Sequence, residues 1–290
     1  MDTSVCIIGG GASGLTAAIC AAARGASVLI LEKNEKLGKK ILATGNGRCN
    51  LTNTLANVDK AADDAYRGSA PNDAFEILRH HPCEEVTAFF ELLGVRLTDK
   101  GGYIYPASMQ AQTIADALIW ECARLKVQVS LGTTVTGIKR NKDHYVILTN
   151  KGSFKAPQVI LACGGMSQPK LGSDGSGFEL AASLGHHISK PMPALCALKG
   201  HAPGLKLMAG VRAAAAVTLY TENKRITSDQ GEVQMTDYGI SGIPVFQISR
   251  YAAKSLLQRK ETMVSVDFAK DDSQERLLKH LLLQREKRGD

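Results

Sequence analysis

Four apolar residues, Val5 to Ile8, run straight into Gly9-Gly10-Gly11-Ala12-Ser13-Gly14, and an alanine-rich stretch from Leu15 to Ala23 follows. A second apolar run, Ser27 to Leu31, ends on Glu32. This is G-x-G-x-x-G between a strand and a helix, with an acid about twenty residues on, as in a dinucleotide-binding βαβ unit. Gly9 permits the tight turn, Gly11 lets main chain approach a pyrophosphate, and Gly14 lets the helix lie close to the strand. The unpaired N–H groups of the helix N-terminus face the phosphates, and Glu32 is positioned to accept from a ribose hydroxyl. The expected ligand is an ADP-containing cofactor, in preference to a plain tight strand–helix turn.

The segment after Glu32 favours FAD over NAD. Lys33 to Asn53 is dense in Gly, Lys, Asn and Thr where an ordinary strand–helix repeat would otherwise stand. Gly38, Gly45 and Gly47 let main chain pass close to a ligand. Thr44, Asn46, Asn50 and Thr52 offer short polar groups, and Lys39, Lys40 and Arg48 supply positive charge. A loop so rich in donors suits a long ligand with a second half to hold, a ribityl chain and isoalloxazine. Its bland alternative is a solvated surface loop.

VCIIGGGASG, GKKILATGNGRCNLTN, VILACGGMSQPKLGSDGSGFELAASLGH and GEVQMTDYGISGIPVFQISR together resemble the BaiN-like flavoproteins. That family is a branch of the two-dinucleotide-fold FAD proteins and includes bile-acid dehydro-reductases and proteins called aminoacetone oxidases. The blocks extend from Val5 to about Arg250 in the family's order. The resemblance implies an α/β fold: a Rossmann-like FAD-binding domain of glutathione-reductase type over 1–190, and a second, mostly β, inserted domain over 191–290. Besides the motif glycines and Glu32, it implies cofactor contacts for Ala12, Ser13, Lys33, Lys40, Thr44, Gly45, Gly47, Arg48, Cys49, Asn50 and Val135. It further implies that Ala162-Cys163-Gly164-Gly165 abuts the cofactor. A family chain returns from its second domain into the first. Nothing after Thr262 resembles that return, so the sequence reads as C-terminally truncated, with one wall of the flavin site open.

With 290 residues, 44% of them hydrophobic, the chain can bury one large core or two smaller ones. No apolar stretch is long enough to span a bilayer, and the sequence enters its first strand without a secretory leader. Its seven cysteines are scattered and never spaced C-x-x-C, which fits a reducing cytoplasm better than a disulfide scaffold or a zinc site. The net charge of +7 suits anionic ligands, but basic residues do not cluster with aromatics, so nucleic acid is not the expected partner. A small-molecule substrate is expected, and no oligomeric state is assigned.

Helical patterning extends over Asn72 to Leu93 with a break at Pro82, and again over Gln112 to Lys126. Strands are expected at Val127–Leu131, Val135–Lys139 and Tyr145–Thr149, with a hairpin turn at Asn150-Lys151-Gly152 and a buried strand at Val159–Ala162. Beyond the Lys190-Pro191-Met192-Pro193 crossover, strands are expected at Ala213–Tyr220, Glu232–Thr236 and Thr262–Phe268. Helices are expected at Pro244–Gln258 and Ser273–Lys287.

Dithiol chemistry is disfavoured, because Cys49 has no resolving partner nearby in sequence and, like Cys163, reads as a small packing residue. A second G-x-G-x-x-G is absent: Gly172, Gly175 and Gly177 have the wrong spacing. NAD(P)H, if it is the donor, must therefore bind transiently. Ser241 reads as a helix N-cap ahead of Pro244, with substrate polarisation as its functional alternative. Tyr103 and Tyr105 are candidates for proton donation, against a reading as core or edge aromatics. The acid/base pair is otherwise unassigned, and the pairs His80-His81 and His186-His187 are not read as metal ligands. The expected activity is NAD(P)H-driven, FAD-dependent reduction of an activated C=C bond. Amine oxidation with O2, a tRNA-modifying flavoprotein and a non-catalytic flavin-fold remnant are the alternatives.

Overall fold

β1 (Val5–Ile8) lies between β2 (Val28–Leu31) and β10 (Gln158–Leu161), and β6 (Gln128–Ser130) extends the sheet beyond β2, every pair parallel. This computed structural model describes residues 3–54 and 71–288. The chain divides into two units, Met1–Ile188 and Ser189–Asp290. The parallel sheet belongs to the first.

β1 and β2 are unbroken apolar runs because both of their faces are covered. Ile7, Val28 and Ile30 join Leu15 and Ala18 of α1 (Ala12–Ala23) and Ile114 and Leu118 of α4 (Ala111–Arg124) in one cluster. The alternate residues Cys6, Ile8, Leu29 and Leu31 join a second cluster on the opposite face. There the partners are Ile138, Ile147 and Ala156 of an antiparallel sheet, β7 (Val135–Arg140), β8 (Tyr145–Thr149) and β9 (Gly152–Ala156), with Leu180 of α5 (Ser176–Ser183). The strand expected to be buried at Val159–Ala162 is instead β10, the outermost of its sheet. With a single ladder neighbour it leaves Ile160 and Leu161 exposed.

The helical pattern broken at Pro82 resolves into α2 (Pro71–His80) and α3 (Cys83–Leu92), with Pro82 at the N-cap of α3. An N-cap proline loses nothing, since its missing N–H would be unpaired in any case. A small antiparallel sheet orders β3 (Thr52–Asn53), β5 (Tyr103–Pro106) and β4 (Leu97–Lys100).

The second unit is a five-stranded antiparallel sheet with the order β11 (Leu198–Lys199), β14 (Gly239–Ser241), β13 (Lys224–Thr236), β12 (Arg212–Thr221) and β15 (Thr262–Asp267). Val217, Leu219, Val233 and Met235 bury one face of it against Val245, Ile248 and Ala252 of α6 (Ile243–Leu257). β13 begins at Lys224, well before the expected Glu232. The two-residue turn Glu222-Asn223, with φ of +50° and +62°, lets β12 fold straight back on itself. Ser241 is not the N-cap of α6. It is the last residue of β14, paired with Gln234, and Gly242 takes the cap with φ +114°. A Cβ at Gly242 would run into the carbonyl oxygen of Glu232, so serine does not fit the capping position. The final helix, α7 (Gln274–Arg288), has no buried residue. Among the described residues no helix is long and apolar enough to cross a membrane.

Ile30 is fully buried between α1 and α4. Ile30→Ala is expected to lower the unfolding free energy by about 2–5 kcal/mol, read by chemical denaturation.

Candidate functional site

The crevice opens where the parallel strands end. Ala162 N–H donates to Ile8 O at 2.8 Å and Gly9 N–H to Leu31 O at 2.9 Å, so three strand ends meet at the glycine turn. Each motif glycine answers to a different contact. A Cβ on Gly9, whose φ is +107°, would collide with the carbonyl oxygen of Ala162. A Cβ on Gly14 would collide with that of Gly9, which is the close helix–strand approach expected from the motif. At Gly11 a Cβ would meet nothing within 4 Å, so the main chain there faces open space. Gly11 is also the N-cap of α1 and brings no side-chain cap, which leaves the first-turn N–H groups available at the crevice.

Glu32, only 7% exposed, points into this turn. Its Oε2 accepts from Gly10 N–H at 2.7 Å, while Oε1 accepts from Asn34 N–H at 2.8 Å and from Asn34 Nδ2 at 2.6 Å. A carboxylate offers about four acceptor positions, so three internal donors leave room for one more on the Oε2 side. The residue therefore fixes the glycine turn as well as facing the crevice, a structural duty the sequence pattern does not announce.

A strap comprising Gln168 to Ser176 forms the far wall. Its ties are three lysines from the segment after β2. Lys33 Nζ donates to Asp174 Oδ2 at 2.7 Å, Lys39 Nζ to Lys170 O at 3.0 Å, and Lys40 Nζ to Ser173 Oγ. Gly172 sits against Asn34, the residue that holds Glu32. The hydrogen bond from Lys33, followed by that from Ser176, holds the Asp174 carboxyl well below the usual carboxylate range. The crevice, about 270 Å³, is lined by Gly9 to Ser13, Glu32, Lys33, Lys40, Val135, Ala162, Cys163, Gly164 and the strap.

A second, mostly apolar cavity of about 580 Å³ begins on the other side of the α1 N-terminus. Thr44, Cys49, Asn50, Phe90, Ile114 and Leu118 line it, and Ala12 and Ser13 line both cavities. The loop that contributes Thr44 to Asn50 turns through left-handed φ at Gly45, Asn46, Gly47 and Cys49. Burial pushes the Cys49 thiol up, against a smaller opposing hydrogen bond from Thr44, and burial likewise raises Cys163. Raised thiols that remain protonated suit packing rather than nucleophilic roles.

Of the residues expected at a cofactor, Gly9, Gly11, Ala12, Ser13, Glu32, Lys33, Lys40, Val135, Ala162, Cys163 and Gly164 share the first cavity, and Thr44, Cys49 and Asn50 the second. Gly14, Gly45, Gly47, Arg48 and Gly165 line neither. The ammonium groups of Lys33 and Lys40 are engaged with the strap rather than free in the crevice. Tyr105 lies beside the second loop, 3.8 Å from where a Gly45 Cβ would stand, with the Arg48 guanidinium 6.0 Å from its ring, while Tyr103 is half exposed. Asn34, Ser173 and Asp174 were not anticipated. Their signal was the local pairing of short polar residues with glycine, which does not reveal a partner more than a hundred residues away. Among the described residues, no group of three or more His, Cys, Asp and Glu side chains gathers as a metal site.

Parallel strands, a glycine turn under a helix N-terminus and a buried acid at the second strand end define a Rossmann-type protein. The chain belongs to the HI0933-like family, whose Rossmann-domain model matches residues 3–274. It is 47% identical over 264 residues to the 3-dehydro-bile acid delta(4,6)-reductase of Clostridium scindens, covering 90% of this chain and 63% of that protein. It is 28% identical to the ribosomal RNA dihydrouridine synthase of Escherichia coli, covering 84% of this chain and 60% of the relative. This chain thus spans under two thirds of the length of either. A thioredoxin reductase from Lactococcus lactis overlaps 56% of this chain and 36% of its own, at 20% identity and a TM-score of 0.32.

The Lys33–Asp174 tie has a pH signature. Because the Asp174 pKa is lowered in the folded chain, its contribution to stability is complete above about pH 4, the unfolded carboxylate range, and declines on further acidification. The stability difference between wild type and Asp174→Asn is expected to be constant at neutral pH and to shrink below that range, measured by denaturation at a series of pH values.

Proposed function

We propose that the chain is an FAD-dependent oxidoreductase that reduces an activated C=C bond, with NAD(P)H as a transient donor. The observation that carries the reading is the pair of cavities sharing Ala12 and Ser13 at the α1 N-terminus. A dinucleotide needs such a layout: a polar crevice for the adenosine half, N–H groups at a pyrophosphate, and an apolar recess for a flat ring. The fit extends to single atoms. Gly11 keeps the approach to the N–H groups clear, and Glu32 retains an acceptor position for a ribose hydroxyl. Thr44 and Asn50 supply polar groups at the second cavity, while Phe90, Ile114 and Leu118 give it an apolar wall. FAD bound there supplies hydride transfer between donor and substrate.

Two features support C=C reduction in particular. The relative at 47% identity is named a delta(4,6)-reductase, and the more distant one is named for dihydrouridine, uridine with two hydrogens added. Both names describe saturation of a carbon–carbon double bond. The second name favours RNA-borne uracil as the next reading of the substrate. Seven unpaired cysteines suit a reducing compartment, and we assign the chain to the cytoplasm.

Gly11→Val is the sharpest test. A Cβ at Gly11 meets no protein atom within 4 Å, so the variant is expected to fold like wild type. Its branched side chain stands in the approach to the α1 N-terminus, and FAD affinity is expected to fall about tenfold or more, read by visible absorbance and fluorescence titration. Wild type is expected to show flavin bands that bleach anaerobically with NADH or NADPH. Wild-type protein that neither contains nor takes up FAD sinks the proposal.

A further inference from the structure

The second unit holds a cleft of its own. After β11 the chain leaves the sheet at Gly200 and rejoins it at Gly210, and both ends are fastened to one hairpin. Gly200 N–H donates to Tyr238 O at 3.0 Å, Gly210 N–H to Met235 O at 2.9 Å, and Met235 N–H to Val211 O at 2.9 Å. Leu205 anchors the middle of the excursion, buried in the cluster that contains Val233 and Met235. Gly204, with φ +74°, starts the short turn that carries Leu205 inward. A loop tied at its ends and pinned at its centre is a preformed feature. Between it and the Asp237-Tyr238 turn lies a cleft of about 760 Å³.

The wall of this cleft combines two kinds of surface. Lys199, His201 and Lys206 line it, none with a side-chain hydrogen bond or ion pair among the described residues, against a single carboxylate, Asp237. Leu207, 92% exposed, and Tyr238, half exposed, present apolar surface beside those cations. Isolated lysines on a surface are ordinary. Two lysines and a histidine around a fixed concavity with apolar walls are matched by a ligand that carries both properties.

We infer that this cleft binds an amphipathic organic anion, its carboxylate paired by Lys199 and Lys206 and its apolar body held against Leu207 and Tyr238. The His201 imidazole adds a hydrogen-bond donor, and Asp237 disfavours a second negative charge on the same ligand. An extended polyanion is the poorer match, because it needs a basic stripe without an opposing carboxylate. The site makes no use of the nucleotide crevice, so it stands or falls independently of the flavin reading.

Calorimetric titration of the full chain with decanoate, decanol and a uridylate oligonucleotide tests it, with flavin content recorded separately. Decanoate is expected to bind saturably. Binding should weaken about tenfold or more for decanol and for Lys199→Gln/Lys206→Gln, and also fall in Leu207→Ser. Lys199, Lys206 and Leu207 are all at the surface, and circular dichroism of each variant verifies its fold. Failure of decanoate to bind, equal binding of decanol, unchanged binding by the lysine double variant, or displacement of decanoate by the oligonucleotide would each overturn the inference.

Discussion

The first unit depends on how closely its main chain approaches itself at the glycine turn. Gly9 lies against Ala162 and Gly14 lies against Gly9, both at separations no side chain tolerates. These contacts draw α1 down onto the strand ends and aim its N-terminus at the crevice. The two hydrophobic clusters then complete the arrangement by gripping the same strands from opposite faces. Loosening the turn would displace the helix, and with it the N–H groups that give the crevice its preference for anions.

Much of this was legible because the responsible signals are local. Glycine spacing, an unbroken apolar strand and an acid at its end specify the βαβ unit within about thirty residues of sequence. Pro82 marked the α2–α3 break, and Asn150-Lys151-Gly152 the β8–β9 hairpin, for the same reason. Where the sequence misled, a distant partner decided the outcome. β10 looks buried from its residues, yet its exposure follows from its place in the strand order. Ser241 has the chemistry of a cap, but the main chain of Glu232 comes so close that glycine occupies the position.

The candidate site shows the same division. The near wall, Gly9 to Ser13 with Glu32, follows from the motif. The far wall does not, because Lys33, Lys39 and Lys40 find their partners some 130 to 140 residues further along the chain. Lysines read as charge awaiting a ligand are instead fastening one segment to another. Glu32 is similar: the acid was expected to face a sugar, and its three internal donors show that it also organises Gly10 and Asn34.

That fastening makes the crevice responsive to its medium. The Lys33–Asp174 contact is partly open to water on both sides, with 27% and 44% of the two side chains exposed, so mobile counterions compete with it. The backbone-directed tie from Lys39 to the Lys170 carbonyl lacks an opposite charge to screen and is the less sensitive of the two. Raising ionic strength should therefore slacken the strap beyond Ser173 first, while the Lys39 and Lys40 ties, whose acceptors are uncharged, go on holding the part from Lys170 to Ser173.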